Sequence, residues 1–232
     1  MILKNEIESN NMRYAVAFFA ALVFLVGCQD LGKIPSAAPT TAGTLSAGYD
    51  TVYTFPQDTV YLTITGGTPP YSILNSPQTA AQCSIAGSNL VIVGSSSGVA
   101  IARLADAAAP ANTLDLPVIV QPVVSFANSI QPIFVSRYGC SGTVGGCHGG
   151  TMGLFLDNAT VSYQNLVNVP AQSPGFSGFK RVNPRNLANS LLYVRLSSND
   201  PNISMPQGRT APFDSTYLSN VRTWILQGAH FN

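Results

Sequence analysis

The sequence predicts a two-domain chain, a β-sandwich followed by a unit with a helix at each end, all behind an export leader. Three observations predict it. Residues 51–124 alternate apolar and polar positions at period two between Gly and Pro turns. Residues 126–138 and 217–225 carry apolar stripes at helical spacing. Residues 14–26 form an uncharged run that follows Arg13 and is shorter than the ~20 apolar residues needed to span a bilayer, which is the size of a signal-peptide core. The charge balance excludes whole classes of partner. With 11 Lys+Arg against 10 Asp+Glu in 232 residues and only 9% charged, the chain lacks the basic excess of a nucleic-acid binder and the charge of a disordered tail.

The apolar run ends in Leu25-Val26-Gly27-Cys28. Hydrophobic run, small residue and Cys in this order resemble the bacterial lipobox, and Met12-Arg13 offers a compact start for it. The resemblance implies a lipoprotein signal peptide over residues 1–27 and a diacylglycerol on Cys28, anchoring the protein to a membrane. Gln29 rather than Asp follows that Cys, which implies sorting to the outer membrane of a double-membrane bacterium, facing the periplasm or the exterior. Beyond the leader, nine Lys+Arg face eight Asp and no Glu (11 minus Lys4 and Arg13; 10 minus Glu6 and Glu8). Residues 28–48 are rich in Ala, Thr, Ser, Pro and Gly, a flexible tether.

From Thr51 the strands follow in order. Val52 and Thr54, then Val60, Leu62 and Ile64, then Leu90 to Val93, then Leu116 to Val124 read as short strands of a sandwich over residues 49–124. In Thr65-Gly66-Gly67-Thr68-Pro69-Pro70-Tyr71, the Gly pair permits a tight turn, the Pro pair stops ladder pairing, and Tyr71 returns its ring to the core. This segment resembles the strand-turn motif of bacterial immunoglobulin-like repeats, which implies an all-β immunoglobulin-like sandwich. Cys83 reads as a buried inert thiol, and Tyr49, Tyr53, Tyr61 and Tyr71 as core and turn aromatics.

Residues 125–232 carry the chemistry. Phe126, Ile130, Ile133, Phe134 and Tyr138 fall on one helical face, with Ser129 as N-cap and Pro132 in the first turn. Asp214 caps a last helix whose stripe is Tyr217, Leu218, Val221, Trp224 and Ile225, ended by Gly228. Between the helices lie Cys140, Cys147-His148-Gly149, Gly153-Leu154-Phe155-Leu156, Arg181-Val182-Asn183-Pro184, Ser190-Leu191-Leu192 and Met205-Pro206, with Trp224-Ile225-Leu226-Gln227-Gly228-Ala229 at the end. Together with Ile130-Gln131-Pro132-Ile133-Phe134, these stretches resemble, in order, the exported single-haem cytochrome c domains. The resemblance implies a mostly α-helical cytochrome c-like haem domain. It implies one covalent haem c on Cys140 and Cys147, iron held by His148 and Met205, and outer-sphere electron transfer to a redox partner protein, with no substrate of its own.

One departure matters. The family attaches haem at C-x-x-C-H, and this chain reads C-x6-C-H. Linkage through both cysteines, linkage through Cys147 alone, a Cys140–Cys147 disulfide with incidental His148, and a structural metal site remain open at this point. Arg181, Arg185, Arg195 and Arg209 are the nearby cations, residues 157–189 read as the loop that walls one side of the pocket, and Trp224 reads as packing between the terminal helices beside it. Met152 lies too close to His148 to reach the opposite face, and His230 reads as frayed surface near the terminus. The competing function is a surface adhesion or assembly lipoprotein whose C-terminal part is a disulfide-closed scaffold. Two histidines and no Glu beyond the leader leave most hydrolase mechanisms without a base.

Overall fold

Alternation at period two buries every second side chain, and the strands that carry it are β1 (Val52–Thr54), β2 (Thr59–Thr63), β3 (Ser72–Ile73), β4 (Ala81–Ala86), β5 (Asn89–Gly94), β6 (Gly98–Ala105) and β7 (Thr113–Val120). They are seen in a computed structural model that describes residues 43–75, 78–142, 147–149, 153–209 and 211–232. The leader, Cys28, the tether up to residue 42 and Met152 lie outside the described residues. One sheet has the order β1-β7-β6-β3 and the other β2-β5-β4. β1 runs parallel to β7 while every other pair is antiparallel. Val60, Leu62, Leu90 and Ile92 from one sheet meet Ala102, Leu104, Leu116 and Val118 from the other in one core.

Two expectations for this half need correction. Leu45 and Ala47 are buried in the core, and Ser46 bridges Thr65, so the tether ends before residue 48 because these apolar side chains have a sheet to pack against. Tyr61 is 68% exposed, since odd positions of β2 face outward. Tyr71 does pack on the core, and its hydroxyl donates to the Gly66 carbonyl at 2.8 Å. Cys83 is half-buried, and burial raises its thiol pKa.

Asp106 holds the adjoining loops. Its carboxylate accepts from Asn112 Nδ2 (2.8 Å), Thr68 N (2.8 Å), Asn112 N (2.7 Å) and Ala108 N (3.2 Å). Gly67, at φ 64°, makes room for it: a Cβ there would meet Asp106 Oδ2 at 2.9 Å. These donors, the Asn112 side chain first, pull the carboxyl down to about 2. A pKa depressed by folding stabilises above the unfolded value of ~3.9, and the gain is lost as pH falls from there toward 2. Denaturant titrations are therefore expected to show stability falling between about pH 4 and pH 2, and Asp106→Asn to flatten that part of the curve.

The second half is not the mostly α-helical domain that the family resemblance implies. Strand outweighs helix over the described residues, and the helices are short: α1 (Phe126–Ile130), α2 (Ile133–Arg137), α3 (Ala159–Leu166), α4 (Leu191–Ser197) and α5 (Ser215–Leu226). The reason lies in the breakers. Pro170, Pro174, Gly175, Gly178 and Pro184 separate α3 from α4, and Pro201, Pro206, Gly208 and Pro212 separate α4 from α5. α1 and α2 are wide turns with bonds five residues back, from Gln131 N–H to Phe126 O and from Tyr138 N–H to Ile133 O, on either side of Pro132, which has no N–H to give. The cap is Ser125 rather than Ser129, its Oγ accepting from Asn128 N. Asp214 caps α5 through Thr216 N and Tyr217 N, as its position predicts, and Val221, Trp224 and Ile225 are buried.

The second core gathers Phe126, Ile130, Ile133, Phe134, Leu166, Val221, Trp224 and Ile225. The C-terminal tail is not frayed. Asn232 accepts from Phe126 N, Ser125 Oγ and Ala127 N, and His230 sets its ring edge-on to Phe55 at 5.6 Å. Further side chains join this half to the sandwich, Gln227, Arg185 and Arg222 among them, the last lying over the Tyr53 ring. Gln227, buried, accepts from Val124 N and donates to Pro122 O. Arg185 donates to Tyr53 O (2.6 Å) and Leu226 O (3.3 Å) and lies 3.6 Å from Asp58 Oδ2. Asp58 keeps a second donor, Thr54 Oγ1, so Arg185→Met strands no bare charge. That variant is expected to lose about 1.5–3 kcal/mol, read as a lower denaturation midpoint with far-UV dichroism retained.

Candidate functional site

The elements of the second half surround one apolar cavity of about 250 Å³. A single water needs only ~10–15 Å³, so the space is sized for an organic group. Its floor is Ile133 and Phe134 of α2, Leu166 of α3, and Leu191, Leu192 and Leu196 of α4, with Leu154, Leu156 and Phe213 closing the sides. Five charged or functional side chains interrupt this apolar lining: Cys140, His148, Met205, Arg181 and Arg195. Gln172, Ser173 and Pro174 add a wall from the 157–189 segment, as its place in the sequence predicts.

Cys140 is placed by the end of α2. The Phe134 carbonyl accepts from both Cys140 N (2.6 Å) and Ser141 N (3.3 Å), which stops the helix and turns the chain at Gly139 (φ 59°). Cys140 is half-buried against the cavity, whereas Cys147 is exposed and does not line it; both are thiols. Burial, with a smaller contribution from Cys147, pushes the Cys140 thiol up to about 11, so it is protonated at neutral pH.

His148 hangs between two backbone bonds, its N–H donating to Cys140 O (2.9 Å) and its carbonyl accepting from Leu156 N (3.0 Å). Its Nδ1 is buried without a hydrogen-bond partner. Burial first, then the charges of Arg181 and Arg195, lower its pKa, which keeps the imidazole neutral and its lone pair available. A buried, neutral imidazole with an unpartnered nitrogen is costly unless something takes up that nitrogen.

Met205 reaches the same cavity from the α4–α5 connection, 57 positions after His148. Sequence reasoning missed what holds it. Arg195 accepts Met205 N–H on its carbonyl (3.0 Å), while its guanidinium donates to Ile203 O (3.1 Å) and Ser173 Oγ (3.1 Å) and lies over the Phe176 ring. Arg181 donates to Asn165 O and Gly153 O. Arg209 donates to the carbonyls of Leu196 and Ser198 at the end of α4 and lies over Phe213, and Arg185 belongs to the sandwich contact. Of the four arginines singled out in the sequence, only Arg181 and Arg195 line the cavity. Trp224 does not line it; its ring packs on Phe126 with centroids 5.0 Å apart. No spacing rule points to Arg195, because its partners come from two separate loops.

Among the described residues, no three of His, Cys, Asp and Glu converge as a metal-holding set. In comparison with known proteins, no protein-family model and no curated protein matches this chain. Among the described residues, no helix is long and apolar enough to cross a membrane.

Proposed function

We propose that this protein is a c-type haem protein that transfers electrons by an outer-sphere route, anchored to the envelope of a double-membrane bacterium through a lipid on Cys28. The observation that carries the reading is that Cys140, His148 and Met205, scattered over 66 positions, line one apolar cavity. The residues fit the group. Apolar walls suit a porphyrin face, the unpartnered buried nitrogen of His148 suits an iron ligand, the Met205 thioether suits a second one, and Arg181 and Arg195 suit anionic ring substituents.

When bound, haem supplies a one-electron iron couple. The chain does the rest. Burial and the two arginines hold His148 neutral, Arg195 fastens the backbone of Met205, and the leucines exclude water from the ring faces. His148 and Met205 would hold the iron between them, and a redox partner protein would be the other reactant.

The test is a pyridine haemochrome spectrum of the protein from a host with c-type maturation, after acid extraction of unlinked haem. A covalent c-type band is the expected result. No retained haem, with Cys140 and Cys147 protected from alkylation until reduction, would overturn the reading and move the working part to the β-sandwich, as an adhesion or assembly module.

A further inference from the structure

Two loops that close the cavity meet at one side chain. The first spans residues 170–180. Its ends are drawn together by the pairing of Pro170 with Lys180 and by Ala171 N–H donating to Phe179 O at 2.9 Å. Its tip is turned by Phe176 N–H on Ser173 O and Phe179 N–H on Phe176 O, both at 3.2 Å, and Gln172, Ser173 and Pro174 of this tip line the cavity. The second loop is a tight turn in which Ile203 and Ser204 N–H donate to Asp200 O (3.0 and 2.7 Å), and it delivers Met205 to the cavity. Between them stands α4, where Leu191, Leu192, Arg195 and Leu196 fall at i, i+1, i+4 and i+5. The helix that lays leucines on the cavity therefore presents Arg195 on the same face.

Arg195 divides its contacts between the two loops. Toward the Met205 loop, its carbonyl accepts Met205 N–H (3.0 Å) and its Nη1 donates to Ile203 O (3.1 Å). Toward the 170–180 cap, its Nη2 donates to Ser173 Oγ (3.1 Å), and its guanidinium carbon lies 5.4 Å from the centroid of the Phe176 ring, which Phe179 braces edge-on at 5.3 Å. Phe176 is half-buried while Pro174, Gly175, Ser177 and Gly178 around it are exposed. The tip thus has little apolar burial of its own, and a surface loop of that kind opens readily unless specific contacts hold it. A planar fork can bond two loops and stack on a ring at once, which an ammonium on a flexible stem cannot.

We infer that Arg195 is a positioning residue that makes the two loops a single gate on the cavity. The cap and the Met205 loop loosen together, and a small molecule enters on the Met205 side when the fork lets go. The gate is built from the chain's own contacts and stands whichever group fills the cavity. On the haem reading given above, it also sets how fast a small nitrogen base reaches the iron in place of Met205.

Hydrogen exchange resolved to single amides tests the gate, on the intact protein, on the cap variant Ser173→Ala/Phe176→Leu, on Arg195→Met and on Arg195→Lys. Rates at Met205 and Phe179 are each divided by the rate at Val221 in the core of α5, so that a general loss of stability cancels. The cap variant leaves Arg195, Ile203 and Met205 in place, yet it is expected to speed exchange at Met205 by about tenfold, the factor that follows from losing one bond to a charged group. Arg195→Met is expected to speed both amides, and Arg195→Lys to follow it, since the charge is kept and the fork is lost. Exchange at Met205 unchanged in the cap variant, or wild-type rates at both amides in Arg195→Lys, would overturn the inference. In protein carrying haem, displacement of Met205 by imidazole, followed by absorption, is expected to quicken in the cap variant; an unchanged rate would equally overturn the gate. Absence of covalent haem from the maturing host would remove the haem reading and leave the exchange rates to decide the gate. If Arg195→Met does not fold by far-UV dichroism, the cap variant, which keeps Arg195, decides.

Discussion

His148→Ala is expected to abolish the low-spin haem spectrum, and Met205→Ala to turn it high-spin while the covalent link survives. The two residues approach the cavity from different loops, so on the proposed haem reading each loss should remove one iron ligand and leave the apolar walls standing. The thioether is a soft, weak donor that favours ferrous iron. Met205→His is therefore expected to lower the midpoint potential, within the ~0.8 V over which axial ligands move haem potentials. Absorption and paramagnetic resonance spectra of the oxidised variants, with a potentiometric titration, check all three. Spectra indifferent to both alanine substitutions would mean that His148 and Met205 meet at the cavity for another reason, and the disulfide-closed scaffold would regain its claim.

Trp224→Ala is expected to be the most destabilising single change in the second half. The side chain is 1% exposed, packs its ring on Phe126, and donates Nε1–H to the His230 carbonyl at 2.8 Å. Truncating a buried Trp costs about 3–5 kcal/mol, which at ~2–4 °C per kcal/mol for a unit of this size lowers the melting temperature by roughly 6–20 °C. The damage should spread to the tail, because His230 leads into Asn232, whose three bonds close the start of α1. Calorimetry with hydrogen exchange at Phe126 and Ala127 would register both effects. Trp224→Phe, which keeps a ring and loses one hydrogen bond, is expected to cost nearer ~1 kcal/mol for that bond.

The sandwich was legible because its signal is local. A strand half-buried in a sheet shows its inner face at every second residue, and turn glycines such as Gly67 mark where the chain reverses. α5 was legible for the same reason, with Asp214 ahead of a stripe at helical spacing. The start of α1 was not: Ser125 and Ser129 are equivalent hydroxyls in sequence, and what favours Ser125 is the C-terminal Asn232 arriving from 107 residues away to bond beside it. The overestimate of helix came from the family resemblance rather than from the residues, whose prolines and glycines between α3 and α5 already limit helix length.

For the candidate site, the sequence by itself supplied the candidate ligand atoms. A Cys-His pair, a distant Met and a shortage of other histidines narrow the chemistry without any coordinates. Tertiary structure alone decided that Cys140, His148 and Met205 share one cavity, that Arg195 rather than Arg185 or Arg209 holds the Met loop, and that Cys147 lies beside Cys140 despite the six residues between them. The physical reason is common to all three. Side-chain chemistry belongs to single residues, whereas cavities, ion fields and backbone contacts such as Gly142 against Gly149 arise only when segments far apart along the chain are packed together.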